Sequence, residues 1–256
     1  MVSYLRSPVA TKILESVRRI WFRPRYFGFR CCCPCCGSHL RKFEPFGLVQ
    51  RPNARCPVCN CLERHRLILL YLRERTDLFT GRRKKMLHLA PEPQLARLFQ
   101  NADSIQYLTA DLFNPRAMVK MDVTDIQYPD NTFDIIYCSH VLEHVTDDSR
   151  AMAELFRVLK PGGWAILQVP ISGEITLEDP TVLLPGDRER LFGKDDHVRT
   201  YGLDYADRLR VAGFKVKVDG FVRELGTRVQ ERYGLMKTED VYYCEKMKGR
   251  REPPRP

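Results

Sequence analysis

The chain has 256 residues, 44% of them hydrophobic and 29% charged, with ten cysteines and a formal net charge of +10. That balance suits one main globular domain with a small appendage and argues against a disordered chain; no stretch approaches the ~18–20 uninterrupted apolar residues of a membrane-spanning helix. Residues 1–85 hold 19 Lys/Arg against 5 Asp/Glu (+14) and the remainder 23 against 27 (−4), so any attraction for nucleic acid, anionic lipid or an acidic substrate belongs to the front end.

Residues 8–22 place Ile13, Leu14, Val17, Ile20 and Trp21 at helical spacing among Lys12, Arg18 and Arg19, before Pro24 interrupts the pattern. This predicts a basic amphipathic segment over 1–26, packed on its own domain or docked on a membrane surface or partner. The N-terminus shows no apolar core with a small-residue cleavage site, so a cytoplasmic protein is expected.

Eight of the ten cysteines fall between Cys31 and Cys61, a clustering that points to metal rather than disulfides. Cys33-Pro34-Cys35-Cys36-Gly37 and Cys56-Pro57-Val58-Cys59 contain two C-x2-C units separated by 19 residues, the spacing of a tetrahedral zinc site. Proline after the first cysteine and a glycine able to take left-handed backbone after the second favour Cys33, Cys36, Cys56 and Cys59 as ligands. Cys31, Cys32, Cys35, Cys61 and His39 are competing candidates. Four thiolates leave no open position, so the ion is expected to be structural, folding a zinc-ribbon-like module over 27–66.

A helix follows through Leu67, Leu69, Leu70 and Leu72, opening a second domain over 67–248. From Lys85 onward, short apolar runs alternate with amphipathic segments, the pattern of a largely parallel sheet covered on both faces. Strands are predicted at 86–90, 106–109, 118–121, 133–138, 164–169, 214–218 and 241–244, and helices near 94–101, 147–159 and 203–212. The Arg- and Pro-rich tail 249–256 is expected to be disordered.

The run Phe133-Asp134-Ile135-Ile136-Tyr137-Cys138-Ser139-His140-Val141-Leu142-Glu143-His144-Val145, with Ala153-Glu154-Leu155-Phe156-Arg157-Val158-Leu159-Lys160-Pro161-Gly162-Gly163, resembles the fourth strand, following loop, helix and Pro-Gly-Gly turn of class I S-adenosylmethionine-dependent methyltransferases. The resemblance covers about 85–246 and implies an α/β Rossmann-like sheet, mostly parallel, of seven strands with the last antiparallel, and S-adenosylmethionine as cofactor. It also implies that Asp111 accepts the ribose hydroxyls and that Asp122, followed by Val123, meets the adenine edge, with Ser139 a further contact. The glycine-rich loop usual after the first strand is replaced by Leu87-His88-Leu89-Ala90-Pro91-Glu92-Pro93, which resembles a bacterial subgroup of the family carrying N-terminal cysteine pairs. There Ala90 stands in for a glycine, Glu92 is suited to the cofactor's ammonium group, and His88 replaces an acidic residue.

Methyl transfer to a hydroxyl needs a base. Candidates are His140 and His144, with His197, Arg199 and Tyr201 from a loop before the late helix; Arg199 suits a carboxylate or phosphate. A small-molecule or carbohydrate acceptor is expected, with an RNA acceptor held by the basic module as the alternative, and an inactive zinc scaffold as another. His140-Val141-Leu142-Glu143-His144 also matches the H-x-x-E-H zinc-peptidase motif, which requires the two histidines on one long helix.

Overall fold

A computed structural model of the protein describes residues 25–47 and 49–248; the basic helix expected over 8–22 and the tail over 249–256 lie outside them. The described residues pack as two compact units that do not follow chain order. One takes in residues up to Phe79 with Pro93–Leu98 and Gly220–Glu239, the other Thr80–Glu92, Phe99–Asp219 and the chain from Asp240.

In the first unit, β1 (Phe27–Cys32) pairs antiparallel with β2 (His39–Leu40), and β3 (Glu44–Phe46) with β4 (Arg51–Arg55). A cysteine turn follows β1 and another follows β4. Gly37 N–H donates to Cys33 O at 2.8 Å and Asn60 N–H to Cys56 O at 2.9 Å. Both turns close on a left-handed residue, Gly37 at φ 69° and Asn60 at φ 60°, which glycine and asparagine tolerate best. Helix α1 (Glu63–Arg75) follows, and the six residues from Leu67 to Leu72 are all buried. A helix apolar on every side belongs in an interior.

Arg66, also on α1, is fully buried and holds this unit together. Its Nε donates to Tyr233 O at 2.6 Å, Nη1 to Ala54 O at 2.9 Å and Cys61 O at 3.3 Å, and Nη2 to Asn53 O at 2.8 Å and Gly234 O at 2.7 Å. Its guanidinium also lies 3.9 Å from the Phe43 ring centroid. One side chain thus ties β4, the second cysteine turn, α1 and the end of the short helix Gly226–Tyr233.

In the second unit, β5 (Lys84–Leu89), β6 (Ile105–Asp111), β7 (Val119–Lys120), β8 (Phe133–Ser139), β9 (Leu159–Gln168), β12 (Lys215–Asp219) and β13 (Val241–Glu245) form one sheet in the order β12-β13-β9-β8-β5-β6-β7. The first five strands pair parallel and β13 runs antiparallel between β9 and β12, which is the Rossmann-like sheet expected. Its parallel strands are near-continuous apolar runs because both faces are covered. Helix α2 (Pro93–Gln100) falls largely in the first unit; in the second, α3 (Asp148–Val158), α4 (Pro185–Phe192) and α5 (Tyr205–Val211) alternate with the strands, and β10 (Leu177–Glu178) pairs with β11 (Arg199–Thr200) outside the sheet. Helix α3 is capped by Asp147, which accepts from Arg150 N–H at 2.9 Å, and buries Ala151, Met152, Leu155 and Val158; each large side chain contributes about 1.5–3 kcal/mol.

β9 begins five residues before the predicted strand. Its pairing with β8 jumps from Phe133↔Leu159 to Ile135↔Trp164, so the Pro161-Gly162-Gly163 turn is an insertion within a strand. A side chain at Gly163 would meet Asp134 O at 2.7 Å, and only glycine fits there. Helix α4 and the short helices Phe221–Glu224 and Gly226–Tyr233 were not predicted; α4 buries only Phe192, too little to set an apolar period. Among the described residues no helix is long and apolar enough to cross a membrane.

Replacing Arg66 with Met leaves several buried carbonyls without a donor. The variant should lose about 3–5 kcal/mol of stability in urea denaturation. Arg66→Lys, which keeps the charge but cannot reach five acceptors, should recover little of that loss. A shift under about 1 kcal/mol for Arg66→Met would show that the guanidinium does not hold the unit.

Candidate functional site

A cavity of about 650 Å³ opens at the carboxyl ends of the parallel strands, the position where α/β sheets bind ligands. Its wall takes Leu89 and Ala90 from the end of β5, Ala110 and Asp111 from β6, Met121, Asp122 and Val123 after β7, and His140, Val141 and His144 after β8. Two of these carry unusual backbone. Ala90 (φ 46°) and His140 (φ 56°) both follow the ends of adjacent parallel strands in the left-handed region. Each turn is pinned by its own amide, Ala90 N–H donating to Ala110 O and His140 N–H to Gln168 O, both at 2.9 Å. The missing glycine is therefore answered by an alanine that adopts the glycine conformation, at a cost of about 1–2 kcal/mol.

The two acidic residues on the wall are held by local turns. Asp111 Oδ1 accepts from Phe113 N–H at 2.8 Å and Asn114 N–H at 2.7 Å. Asp122 Oδ1 accepts from the Thr124 amide and hydroxyl, both at 2.8 Å. Each carboxylate is oriented through Oδ1. Met121 and Val123 add apolar surface to the lining.

Of the residues expected to meet a cofactor, Ala90, Asp111, Asp122 and Val123 line the cavity, and neither Pro91 nor Glu92 blocks it. His88, Glu92 and Ser139 are not part of its wall. His88 is fully buried, with Nδ1 2.7 Å from Tyr107 Oη, Nε2 3.8 Å from Glu92 Oε2, and ring contacts to Phe99, Tyr107 and Tyr137. Strand alternation explains this: the cavity side at the end of β5 goes to Leu89 and Ala90, and His88 faces the other way.

Of the residues expected to act in catalysis, His140 and His144 line the cavity while His197, Arg199 and Tyr201 do not. Arg199 is buried, with Nε on Glu178 Oε2 at 2.9 Å, Nη1 on Leu142 O at 3.1 Å and on Val145 O, and Nη2 on Thr146 O at 2.9 Å. Its donors are engaged within the protein, which leaves it unsuited to a substrate anion and makes it the support of loop 142–146. The Tyr201 hydroxyl donates to buried Asp148 at 2.7 Å, and burial together with Asp148 pushes its pKa up. Hydrogen bonding from Arg208 and Arg199 holds Glu178 below the usual carboxylate range. Sequence reading missed Asp148 and Glu178, whose roles depend on residues about 20–60 positions away.

Behind the histidines lies Glu143, 1% exposed, whose Oε1 is 3.1 Å from His140 Nδ1. His140 and His144 are joined by a 3-10 turn, Leu142–His144, rather than a long helix, so the geometry a zinc peptidase needs is absent.

In the first unit, Cys33, Cys36, Cys56 and Cys59 bring their sulfurs within 4.8 Å of one another. The Cys33–Cys59 and Cys36–Cys56 pairs stand at 3.7 and 3.9 Å, near the about 3.8 Å edge of a tetrahedron with zinc–sulfur bonds of about 2.3 Å. Cys33, Cys35 and Cys61 form an overlapping group. Cys31, Cys32 and His39 belong to neither.

Residues 85–167 match the family model described as a methyltransferase domain. Ubiquinone/menaquinone biosynthesis C-methyltransferase UbiE of Vibrio campbellii is 30% identical over 126 residues, 46% of each chain. UbiE of Hydrogenovibrio crunogenus is 53% identical over 38 residues, 15% of each. The chain thus spans less than half the length of these curated relatives. Among solved structures, a SAM dependent methyltransferase from Archaeoglobus fulgidus is 16% identical with a TM-score of 0.45, covering 70% of this chain and 91% of that one. PigF with SAH is 16% identical with a TM-score of 0.46, covering 71% and 61%.

The left-handed turn at residue 90 is testable by side-chain shape. Ala90→Val places a β-branched residue where it is disfavoured and should cost more than about 2 kcal/mol in urea denaturation, whereas Ala90→Gly should stay within about 1 kcal/mol of the parent. Equal tolerance of the two would contradict the turn.

Proposed function

We propose that this chain is an S-adenosylmethionine-dependent methyltransferase acting on a small-molecule or carbohydrate acceptor, with the cofactor in the cavity at the ends of β5, β6 and β8. The observation that carries the reading is the pairing of Asp111 and Asp122 on one wall of a cavity whose volume falls in the about 300–1,000 Å³ range of ligand sites. The donor set fits a nucleoside: carboxylate oxygens for hydroxyl and amino groups, and the Met121 and Val123 side chains for a flat base. The family match over 85–167 agrees with it.

S-adenosylmethionine, when bound, supplies a methyl group already activated by its sulfonium. The protein's task is to bind, align the acceptor at about 3–3.5 Å and exclude water. For a hydroxyl acceptor the residue suited to take the proton is His140. It lines the cavity, and Glu143 beneath it holds Nδ1, so with Nδ1 protonated toward that carboxylate Nε2 is the basic nitrogen.

The cysteine module is proposed to hold one structural zinc at Cys33, Cys36, Cys56 and Cys59. A second reading of the acceptor, RNA, is favoured by one feature of that unit. A groove of about 590 Å³ is lined by Arg30, Arg41, Lys42 and Arg51, and Phe27 and Phe29, 57% and 75% exposed, stand on the neighbouring strand β1. Basic grooves with exposed rings suit single-stranded nucleic acid.

Two measurements test these assignments. In calorimetric titration the protein should bind S-adenosylmethionine, and Asp111→Asn, which keeps the Oδ1 turn, should weaken it about 10–100-fold through loss of charged hydrogen bonds. No binding by the parent would refute the cofactor reading. Metal analysis of protein purified without chelator should find zinc, with one equivalent fewer in Cys56→Ser; zinc-free parent protein would refute the metal assignment.

A further inference from the structure

Three side chains whose convergence the zinc-peptidase motif did not anticipate meet beside the cavity. Glu143, His144 and His197 each bring one ligand atom within 4.8 Å of the other two. The motif pairs His140 with His144; folding instead turns His140 Nδ1 onto Glu143 Oε1 and brings in His197 from 53 residues along the chain. The amide of Val198 donates to Glu143 O at 2.9 Å and fastens the His197 loop in place.

Several independent features suit this group to a cation. Glu143 is almost fully buried, and while Oε1 meets His140, Oε2 has no hydrogen-bond partner among the described residues. A buried carboxylate oxygen without a donor calls for a missing ion or water. His144 Nδ1 lies 3.1 Å from the Asp196 carbonyl oxygen, the anchoring through the far nitrogen that metal-binding imidazoles typically receive, which leaves Nε2 as the ligand. The His144 and His197 rings stand edge to face with centroids 4.8 Å apart. Two imidazoles and one carboxylate form the donor set of open, reactive divalent sites, zinc foremost, and unlike four thiolates they leave coordination positions free.

We propose that Glu143, His144 and His197 form a divalent-metal site, separate from the cysteine module, that reaches the cavity wall through His144. Its ion takes an oxygen of the acceptor as a further ligand, which selects hydroxyl- or carboxylate-bearing acceptors. The metal site stands on geometry alone; the acceptor preference rests on the methyltransferase reading.

The test is a titration of the full chain, purified without chelator, with Co²⁺ in the absence of cofactor, followed by calorimetry and visible absorption. The parent should bind one cobalt with weak nitrogen/oxygen-type visible bands and no sulfur-to-cobalt charge-transfer band. His197→Ala, on a partly exposed loop, and the isosteric Glu143→Gln should each weaken binding about 10–100-fold. Absence of cobalt bound with nitrogen/oxygen-type bands, or affinity unchanged in both variants, would overturn the site. Cofactor plays no part in this titration, so its failure leaves the Asp111 reading intact, and failure at Asp111 leaves the metal site intact.

Discussion

The cavity depends on a backbone constraint: two adjacent parallel strands, β5 and β8, are each followed by a residue in left-handed conformation, Ala90 and His140. Neither is glycine, so each turn stores about 1–2 kcal/mol that the surrounding sheet must offset. The sheet does so through the hydrogen bonds that the Ala90 and His140 amides donate to Ala110 O and Gln168 O, which continue the β5 and β8 ladders past the strand ends. Asp111, Asp122 and His140 all line the cavity, with Glu143 buried behind His140.

The first unit solves a different problem, how to build an interior from short ribbons and sulfur. The buried cluster around its cysteines contains Cys31, Cys33, Cys56 and Cys61 with Leu40, Phe43 and Val58, too little apolar surface to hold the ribbons unaided. Arg66 completes it. None of its hydrogen bonds goes to a carboxylate; they go to five carbonyls, with Cys61 Sγ at 3.9 Å. A buried guanidinium of this kind is complemented by thiolate charge nearby, so the proposed zinc-bound cysteines and Arg66 support one another.

Much of this architecture was legible in the chain. The apolar runs at 86–90 and 133–138 became central strands because parallel strands buried on both faces have no polar alternation to obscure them. The C-x2-C spacing, Gly37 included, foreshadowed the cysteine turns, and Asp111 and Asp122 reached the cavity wall because strand ends are fixed by the same apolar runs. Other features depended on tertiary structure. His88 sits on a strand next to the cavity, yet alternation turns it into an aromatic cluster. Arg199 and Tyr201 looked reactive as residue types, but their partners Glu178 and Asp148 are distant in sequence and consume their hydrogen-bonding capacity. Ala90 concealed a glycine-like turn because φ is a property of the fold and not of the residue name. The convergence of His197 on Glu143 needed a loop closure that no local pattern encodes.

The central claim is that the strand-end cavity is a nucleoside site. Its most direct test is a crystal structure of the full chain grown with saturating S-adenosylhomocysteine. The account predicts ligand density against Ala90, with carboxylate contacts from Asp111 and Asp122. Density elsewhere on the protein, or a cavity that stays free of ligand at saturation, would contradict it.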